Sequence, residues 1–333
     1  MADAEKDQLF RDLTERVGPP TGSWNGDQWS DSRNETFTFE RIRDVFTGEC
    51  ILFIGDSLQR RAADTLHQVL LQGTLEMEEP GNLFAGKACD RGFRQLDLEG
   101  GGCIDIDWRP MLQDIEQFAL DTYNASISER YRSNYTLIVA GSNIWDTVAS
   151  RTIRTSVNDM RESTDRAIRA LTKARPDPLI VWKTGGWTQE RCPLIHDENQ
   201  KTRCTSDKIL AGNAQARETI ASLNNTTQQV VVLDWAREIL PRSLGSHRLS
   251  SNDRNPHHYG LAARIQFLQQ LAGLLEEQQE LQEPPKEDPK PVVTSGLDLP
   301  TLQGAQFLNL VFVSLLLLWS YARLRRKRIT HDY

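Results

Sequence analysis

The sequence lacks the features of several large protein classes. Acidic residues outnumber basic ones, 46 to 39, so the formal net charge is −7 and no basic surface for a nucleic acid is indicated. The five cysteines show no metal-ligand spacing, which argues against a zinc site, and no cofactor is expected. The lysine and glycines of a phosphate-binding loop are also missing around Gly55, which disfavours a phosphate-binding module.

The first 20 residues contain no apolar run, so no secretory signal peptide is visible. Two other features nevertheless favour a secretory compartment. Cys192 and Cys204 flank a polar loop and could be bridged, and the chain contains several N-x-Ser/Thr sequons. The sequons begin at Asn34, Asn124, Asn134, Asn224 and Asn225.

The most informative stretch is residues 50–71. Residues 51–54 form the short apolar run of a buried strand, Gly55 interrupts it, and apolar residues then recur at helical spacing after Asp56 and Ser57. The pattern predicts a strand, a tight turn and a helix, with Ser57 at the strand's carboxyl end, where open α/β sheets bind ligands. Helix amides there can stabilise a developing negative charge. The alternative is that Gly55, Asp56 and Ser57 form only a turn and a helix cap and have no catalytic role.

Further apolar runs alternate with helical patterns along the chain. Strands are predicted at 103–108, 136–140, 178–182 and 229–235, and helices at 151–174, 208–223 and 261–275. Residues 21–40 are predicted to be a loop that wraps the domain, with Trp24 and Trp29 packed in it, and residues 81–102 to be irregular. The alternation predicts an α/β fold with a doubly wound, mostly parallel sheet and helices on both faces.

Candidate site residues follow two later strands. The strand at 136–140 runs into Gly141-Ser142-Asn143, so Asn143 is expected beside Ser57 as a hydrogen-bond donor to an oxyanion. An asparagine in an ordinary turn is the alternative. Trp145, and Trp187 in the polar loop after the strand at 178–182, are expected to border the same site and contact substrate.

A polar loop at 246–260 precedes the last predicted helix and contains Asp253, His257 and His258. Either histidine could take the proton of Ser57, with Asp253 orienting the ring, and the sequence does not decide between them. Two solvated loop histidines are the alternative.

These blocks resemble the GDSL/SGNH hydrolases, and more narrowly their PC-esterase branch. Gly-Asp-Ser at 55–57 with Arg60 three residues after the serine is similar to the first block of that family, and Gly141-x-Asn143 to the block with the oxyanion asparagine. In the family two residues separate the catalytic Asp and His. Here Asp253 precedes His257 by four positions and His258 by five.

The resemblance covers residues 48–275 and implies a three-layer α/β fold and a serine esterase or O-acyltransferase. The expected substrates are acyl esters of glycans or glycoproteins, above all acetyl esters. The acyl group is expected to be transferred through an acyl-enzyme intermediate. The irregular Asp–His spacing leaves open another class, a catalytically inactive, membrane-tethered carbohydrate-binding or scaffold protein. The roles implied are catalytic for Ser57, Asp253, His258 and His257, oxyanion-stabilising for Asn143 and Gly141, and substrate-binding for Arg60, Asp56, Trp145 and Trp187. A further oxyanion glycine is expected in 81–102, with Gly92 and Gly102 as undecided candidates.

The carboxyl-terminal region predicts a membrane anchor. Residues 279–301 have the composition of an extended linker. Residues 302–322 are almost wholly apolar and long enough to span a bilayer. Residues 323–333 form a basic tail that is expected in the cytoplasm. The remaining divisions are a polar wrap at 1–47 and the α/β domain at 48–278. With the sequons, this organisation predicts a single-pass protein of the Golgi or ER with a lumenal domain, whose true start would lie upstream of Met1. The alternative is a tail-anchored protein with residues 1–300 in the cytosol.

Overall fold

The structure is a computed structural model. It describes residues 11–12, 14–16, 18–25, 28–31, 38–72, 92–98, 101–121, 131–141, 146, 156–175, 177–186, 206–224, 230–244 and 261–282. The chain divides into a unit at 1–282 and a unit at 283–333, and all the described residues belong to the first.

A central sheet organises this unit. A short antiparallel hairpin, β1 (Ser23–Asn25) and β2 (Gln28–Ser30), precedes it. The sheet strands are β3 (Cys50–Gly55), β4 (Phe93–Asp97), β5 (Cys103–Trp108), β6 (Leu137–Gly141), β7 (Leu179–Lys183) and β8 (Val230–Leu233). Their order is β4-β5-β3-β6-β7-β8, and all neighbours are parallel except β4 and β5.

Strand β3 lies inside the sheet, between β5 and β6. Its last residue, Gly55, is paired with Trp108 of β5 on one side and with Gly141 of β6 on the other. After β3 the chain forms β4 and β5 on one side of β3 and then β6 on the opposite side. The topological switch point, where open α/β sheets bind their ligands, is therefore at the carboxyl end of β3.

Helices cover both faces of the sheet. They are α1 (Phe39–Phe46), α2 (Ser57–Gln72), α3 (Leu112–Asp121), α4 (Val157–Ala174), α5 (Ser206–Asn224), α6 (Trp235–Leu244) and α7 (Leu261–Gln282). Ile51 and Phe53 of β3 pack in a cluster with α1, α2, α6 and α7, whereas Leu52 and Ile54 pack in a second cluster with α3 and α4. Because side chains alternate along a strand, a strand covered on both faces must be apolar throughout, which explains its continuous apolar run.

The predicted α/β class with a mostly parallel sheet and flanking helices is confirmed, with shifted element ends. The helix expected from residue 151 begins at Val157, because Ser156 and Asp159 cap it reciprocally; residues 151–155 lie outside the described part. The last strand ends at Leu233 instead of residue 235, because Trp235 already begins α6.

Several elements were not predicted. The stretch 81–102 contains the edge strand β4, whose alternation of apolar and polar residues is too weak to predict a strand. The sequence also did not predict helices α1, α3 and α6. The wrap at 21–40 contains the β1–β2 hairpin, in which Trp24 and Trp29 are paired across the strands. Trp29 is buried, and the Trp24 indole donates to the carbonyl oxygen of Glu238, 3.1 Å away. Tertiary contacts, rather than local sequence, stabilise this short hairpin.

Cys50 and Cys103 occupy paired positions at the start of β3 and β5, and they form a disulfide. The sequence had suggested a bridge only between Cys192 and Cys204, which lie outside the described residues. The apolar segment 302–322 also lies outside them. Among the helices that the structure does describe, none combines the length and the apolar character needed to cross a bilayer.

Candidate active site

Ser57 is the first residue of α2, two positions after Gly55, the last residue of β3. Only Asp56 separates strand from helix, and Gly55 makes this sharp turn possible with φ of 150°, a backbone conformation that L residues rarely adopt. A Cβ on Gly55 would also collide with the carbonyl oxygen of Gly141 and come within 2.7 Å of Cγ of Gln59. The predicted strand–turn–helix is therefore present, and it brings Ser57, 8% exposed, to the switch point of the sheet.

Asp56 caps the helix that Ser57 begins. Its Oδ1 accepts the backbone N–H of Leu58 at 2.9 Å, and its carbonyl oxygen accepts that of Arg60 at 3.2 Å. The side chain is buried, and burial raises the pKa of this carboxyl, while the charge of Lys183 acts in the opposite direction. These contacts stabilise the turn that presents Ser57, while the expected contact of Asp56 with substrate stays a prediction.

Lys183, the last residue of β7, is a buried cation that sequence analysis did not select. Its Nζ lies 4.2 Å from the ring centroid of Trp235 and 5.8 Å from that of Phe267, both within cation–π range. Burial lowers the pKa of this ammonium group to about 8, while the charge of Asp56 favours the protonated form. The site thus contains a positive charge whose field acts on the turn before Ser57. A lysine ending an otherwise apolar strand, Leu-Ile-Val-Trp-Lys, was the signal in the sequence.

Asp146 is a second buried carboxyl that sequence analysis did not select. Both of its side-chain oxygens accept the backbone N–H of Leu112, the first residue of α3, at 3.0 and 3.1 Å. The pKa of Asp146 is raised to about 7, mainly by burial and to a smaller extent by the charges of Asp114 and Asp56. The charge of Asp56 thus disfavours ionisation of Asp146.

Arg60 and Gln59 follow Ser57 on the first turn of α2. The guanidinium of Arg60 lies 5.6 Å from the ring centroid of Trp108 at the end of β5, and its buried Nε has no hydrogen-bond partner within the described part of the chain. Gln59 is 1% exposed and packs against Gly55 and Gly141. Its amide nitrogen and oxygen are both buried, and neither has a hydrogen-bond partner among the described residues. Arg60 thus lies on the β5 side of the nucleophile and Gln59 on the β6 side.

Of the two glycines considered for the oxyanion hole, only one lies at the correct end of the sheet. The carbonyl oxygen of Gly92 accepts the N–H of Trp108, beside the carboxyl end of β3. Gly102 precedes Cys103, which is paired with Cys50 at the opposite end of these strands. Because strands rise about 3.3 Å per residue, Gly102 is too far from Ser57 to stabilise its oxyanion.

The amino end of α7 lies close to the amino end of α2. Arg264, on the first turn of α7, lines a small cavity together with Leu58 and Lys183. The remaining wall is formed by Ala62, Trp235 and Phe267. Within the described ranges, no group of three or more His, Cys, Asp or Glu residues could hold a metal ion. The other predicted site residues lie outside those ranges, and these are Asn143, Trp145, Trp187, Asp253, His257 and His258.

Comparison with known proteins gives matches among solved structures only. No family model and no curated protein matches the chain. The chain is similar to a lipase/acylhydrolase from Enterococcus faecalis, with 12% identity, a TM-score of 0.41, and coverage of 69% of this chain and 96% of that one. A peptidoglycan O-acetylesterase matches with 10% identity, a TM-score of 0.39, and coverage of 73% and 96%. A salicylyl-acyltransferase from a tetracycline biosynthetic pathway matches with 12% identity, a TM-score of 0.36, and coverage of 71% of this chain and 56% of that one.

Proposed function

We propose that the protein is a serine acyl-ester hydrolase or O-acyltransferase of the SGNH type, with Ser57 as its nucleophile. The observation that carries this proposal is the position of Ser57, which begins α2 directly after β3, at the switch point between β5 and β6. A helix begins there, and the positive end of its dipole favours the negative charge that develops on an acyl oxygen under attack.

The position of α7 supports a histidine from the preceding loop as the base. Arg264 and Leu58 line one cavity, so the chain begins α7 beside the residue that follows Ser57. His258 precedes Leu261, the first residue of α7, by three positions. Three residues span at most about 10 Å, so this short connection supports His258 as the proposed base. His257 is one residue further and remains the alternative base, and Asp253 is the proposed orienting carboxylate for either ring.

The proposed reaction has two steps. In the first, Oγ of Ser57 attacks the acyl carbon while the histidine takes the hydroxyl proton, and amide donors stabilise the resulting oxyanion. The intermediate collapses, the alcohol leaves with the proton from the histidine, and the acyl group stays on Ser57. In the second step the histidine takes a proton from water or a sugar hydroxyl, and the resulting oxygen nucleophile attacks the acyl-enzyme. The histidine then returns the proton to Oγ of Ser57 as the ester bond to Ser57 breaks, which releases an acid or a new ester. Asn143 and Gly141 are proposed to stabilise the oxyanion, and Arg60 to contact substrate.

We further propose a lumenal location and a glycan or glycoprotein ester as substrate. The Cys50–Cys103 disulfide supports the location, because structural disulfides persist in oxidising compartments. Asn134 and Asn224, each the first residue of a sequon, are exposed, as a glycosylation acceptor must be. Residues 302–322 are the proposed membrane anchor.

Two experiments test these proposals. A fluorophosphonate probe should label the purified full-length protein, and Ser57→Ala should abolish both labelling and turnover of p-nitrophenyl acetate while leaving the melting temperature near that of the wild type. An unlabelled, folded wild type would support the inactive binding protein instead. Glycosidase treatment of the native protein should increase its gel mobility. No shift, together with digestion of the domain by protease added to intact vesicles, would refute the lumenal location.

A further inference from the structure

The side chain of Lys183 points to the face of the sheet that α2 covers. Val181 packs in the cluster with α2, α6 and α7, and since side chains alternate along a strand, Lys183 points to the same face. Gly141 is so close to the main chain of β7 that a Cβ on it would lie 2.5 Å from the carbonyl oxygen of Lys183, and Gly141 is paired with Gly55. The row of strand ends from Lys183 to Gly55 therefore contains no other side chain.

The ammonium group of Lys183 is enclosed by α2, α6 and α7. Its Nζ lies 4.2 Å from the ring centroid of Trp235, and its side chain shares a small cavity with Leu58. Leu58 is the residue whose N–H donates to Oδ1 of Asp56 at 2.9 Å. Lys183 thus lies beside the helix turn that Asp56 caps, and the opposite charges of Lys183 and Asp56 favour each other's ionised form.

The other charged groups around Lys183 do not replace Asp56. Arg264 lines the same cavity but carries the same sign of charge as Lys183. Asp234 follows Leu233, the residue paired with Lys183 across β7 and β8, but its carboxylate is bound by the guanidinium of Arg217 at 2.7 Å. Among the described residues, Asp56 supplies the negative charge that favours the protonated form of Lys183.

A lysine is not needed to fill this space. Apart from Arg264, the cavity wall around Lys183 is apolar, and its residues are Leu58, Ala62, Trp235 and Phe267. Burying an ammonium group in such surroundings costs free energy that an uncharged side chain of similar length, such as methionine, does not cost. A buried charge of this kind beside a candidate nucleophile indicates a functional constraint.

We propose that Lys183 is a positioning residue for the reaction at Ser57 and acts through Asp56. Its positive charge keeps the buried carboxyl of Asp56 ionised. Ionised Asp56 binds the backbone N–H groups of Leu58 and Gln59, and the bond to Leu58 spans Ser57. Because a carboxylate accepts such bonds more strongly than a neutral acid does, the charge fixes the turn that presents Ser57. This inference rests on the proposed acyl transfer and requires no contact of Lys183 with substrate.

The test compares Lys183→Met with the wild type across pH. Turnover of p-nitrophenyl acetate is measured per folded full-length protein between pH 6 and pH 10, with spontaneous hydrolysis subtracted. At pH 7 Lys183→Met should lower kcat by about 10- to 100-fold with KM within about threefold, because a small displacement of a reacting group can cost about 100-fold. Burial lowers the pKa of Lys183 to about 8, so the wild type loses the same charge as pH rises through that value. Its kcat should then fall to within about threefold of the variant at pH 10.

Three further variants separate this role from packing. Phe267→Leu disturbs the same cavity but keeps every charge, so its kcat relative to the wild type should be the same at pH 7 and pH 10. Lys183→Arg stays charged up to pH 10, so its kcat should not fall through pH 8. Asp56→Asn cannot ionise, so adding Lys183→Met to it should slow turnover by no more than about threefold, since residues that act through one another are not additive.

Three outcomes would overturn the inference. They are a kcat ratio between wild type and Lys183→Met that is the same at pH 7 and pH 10, an undiminished kcat in Lys183→Met at pH 7, and full additivity with Asp56→Asn. If neither Lys183 variant folds, Asp56→Asn decides, because the fall of kcat through pH 8 must be lost in it. A folded wild type that the fluorophosphonate does not label marks failure of the proposed function itself, whereas a labelled wild type with any of these outcomes marks failure of the Lys183 role alone.

Discussion

Replacing Asp146 by asparagine should make the folded protein more stable at and above neutral pH. The carboxyl is buried, and its pKa rises from 3.8 to about 7 on folding, mainly because burial disfavours the charged form. Asparagine has nearly the same shape, and its amide oxygen can still accept the N–H of Leu112, but it has no charge to bury. The substitution therefore removes a cost and keeps the hydrogen bond.

The size of the effect follows from linkage between folding and proton binding. The folded state binds the proton of Asp146 more tightly than the unfolded state does, so ionisation lowers stability as pH rises from about 4 to about 7. At about 1.4 kcal/mol per pKa unit, the full cost is roughly 4 kcal/mol above pH 7. Relaxation and water around the charge reduce it, so we expect a gain of roughly 1–4 kcal/mol for Asp146→Asn.

Urea denaturation at pH 8 and at pH 4.5 measures this gain. Asp146→Asn should unfold at a higher urea concentration than the wild type at pH 8, and the difference should shrink or vanish at pH 4.5, where Asp146 is protonated in the folded state. Asp114→Asn serves as the matched control, because Asp114 is a partly exposed carboxyl at the same helix end and should give a smaller difference at pH 8. A destabilised Asp146→Asn at pH 8, or an equal gain at both pH values, would refute the reasoning.

Three other predictions concern the oxyanion hole, the base and the disulfide. Asn143→Ala should lower kcat by roughly 100- to 1000-fold with little change in KM, the usual cost of removing one oxyanion donor; a change confined to KM would make Asn143 a substrate contact. Of His257→Ala and His258→Ala, one should abolish turnover and the other be mild, with His258 the expected base; full activity in both would place the base elsewhere. Cys103→Ala opens the loop that the bond to Cys50 closes across 53 residues, and urea titration should show a loss of roughly 2–4 kcal/mol. An unchanged midpoint, with the wild-type thiols shown to be oxidised, would contradict that prediction.

The local pattern around Ser57 was sufficient to predict how it is presented. An apolar run, a glycine and a helical repeat each have a short-range physical meaning, so the strand, the turn and the helix follow from about 20 consecutive residues. The alternation of such patterns was likewise sufficient for the α/β class and the mostly parallel sheet, because parallel strands need helical crossovers between them. Strand β4 escaped prediction because an edge strand with polar residues has no comparable pattern.

Only the tertiary structure decided which distant residues share the site. Lys183, Asp146 and Asp56 are far apart in sequence, and their proximity depends on the order of β3, β6 and β7 in the sheet. The pairing and register of the strands also placed Gly92 and Gly102 at opposite ends of β5 and brought Cys50 opposite Cys103. A sequence pattern records which face of a strand is apolar, but neighbours in a sheet are fixed by packing across the whole domain. The sequence thus determined the candidate nucleophile and the class of fold, while the tertiary structure determined which buried charges act on the turn before that nucleophile.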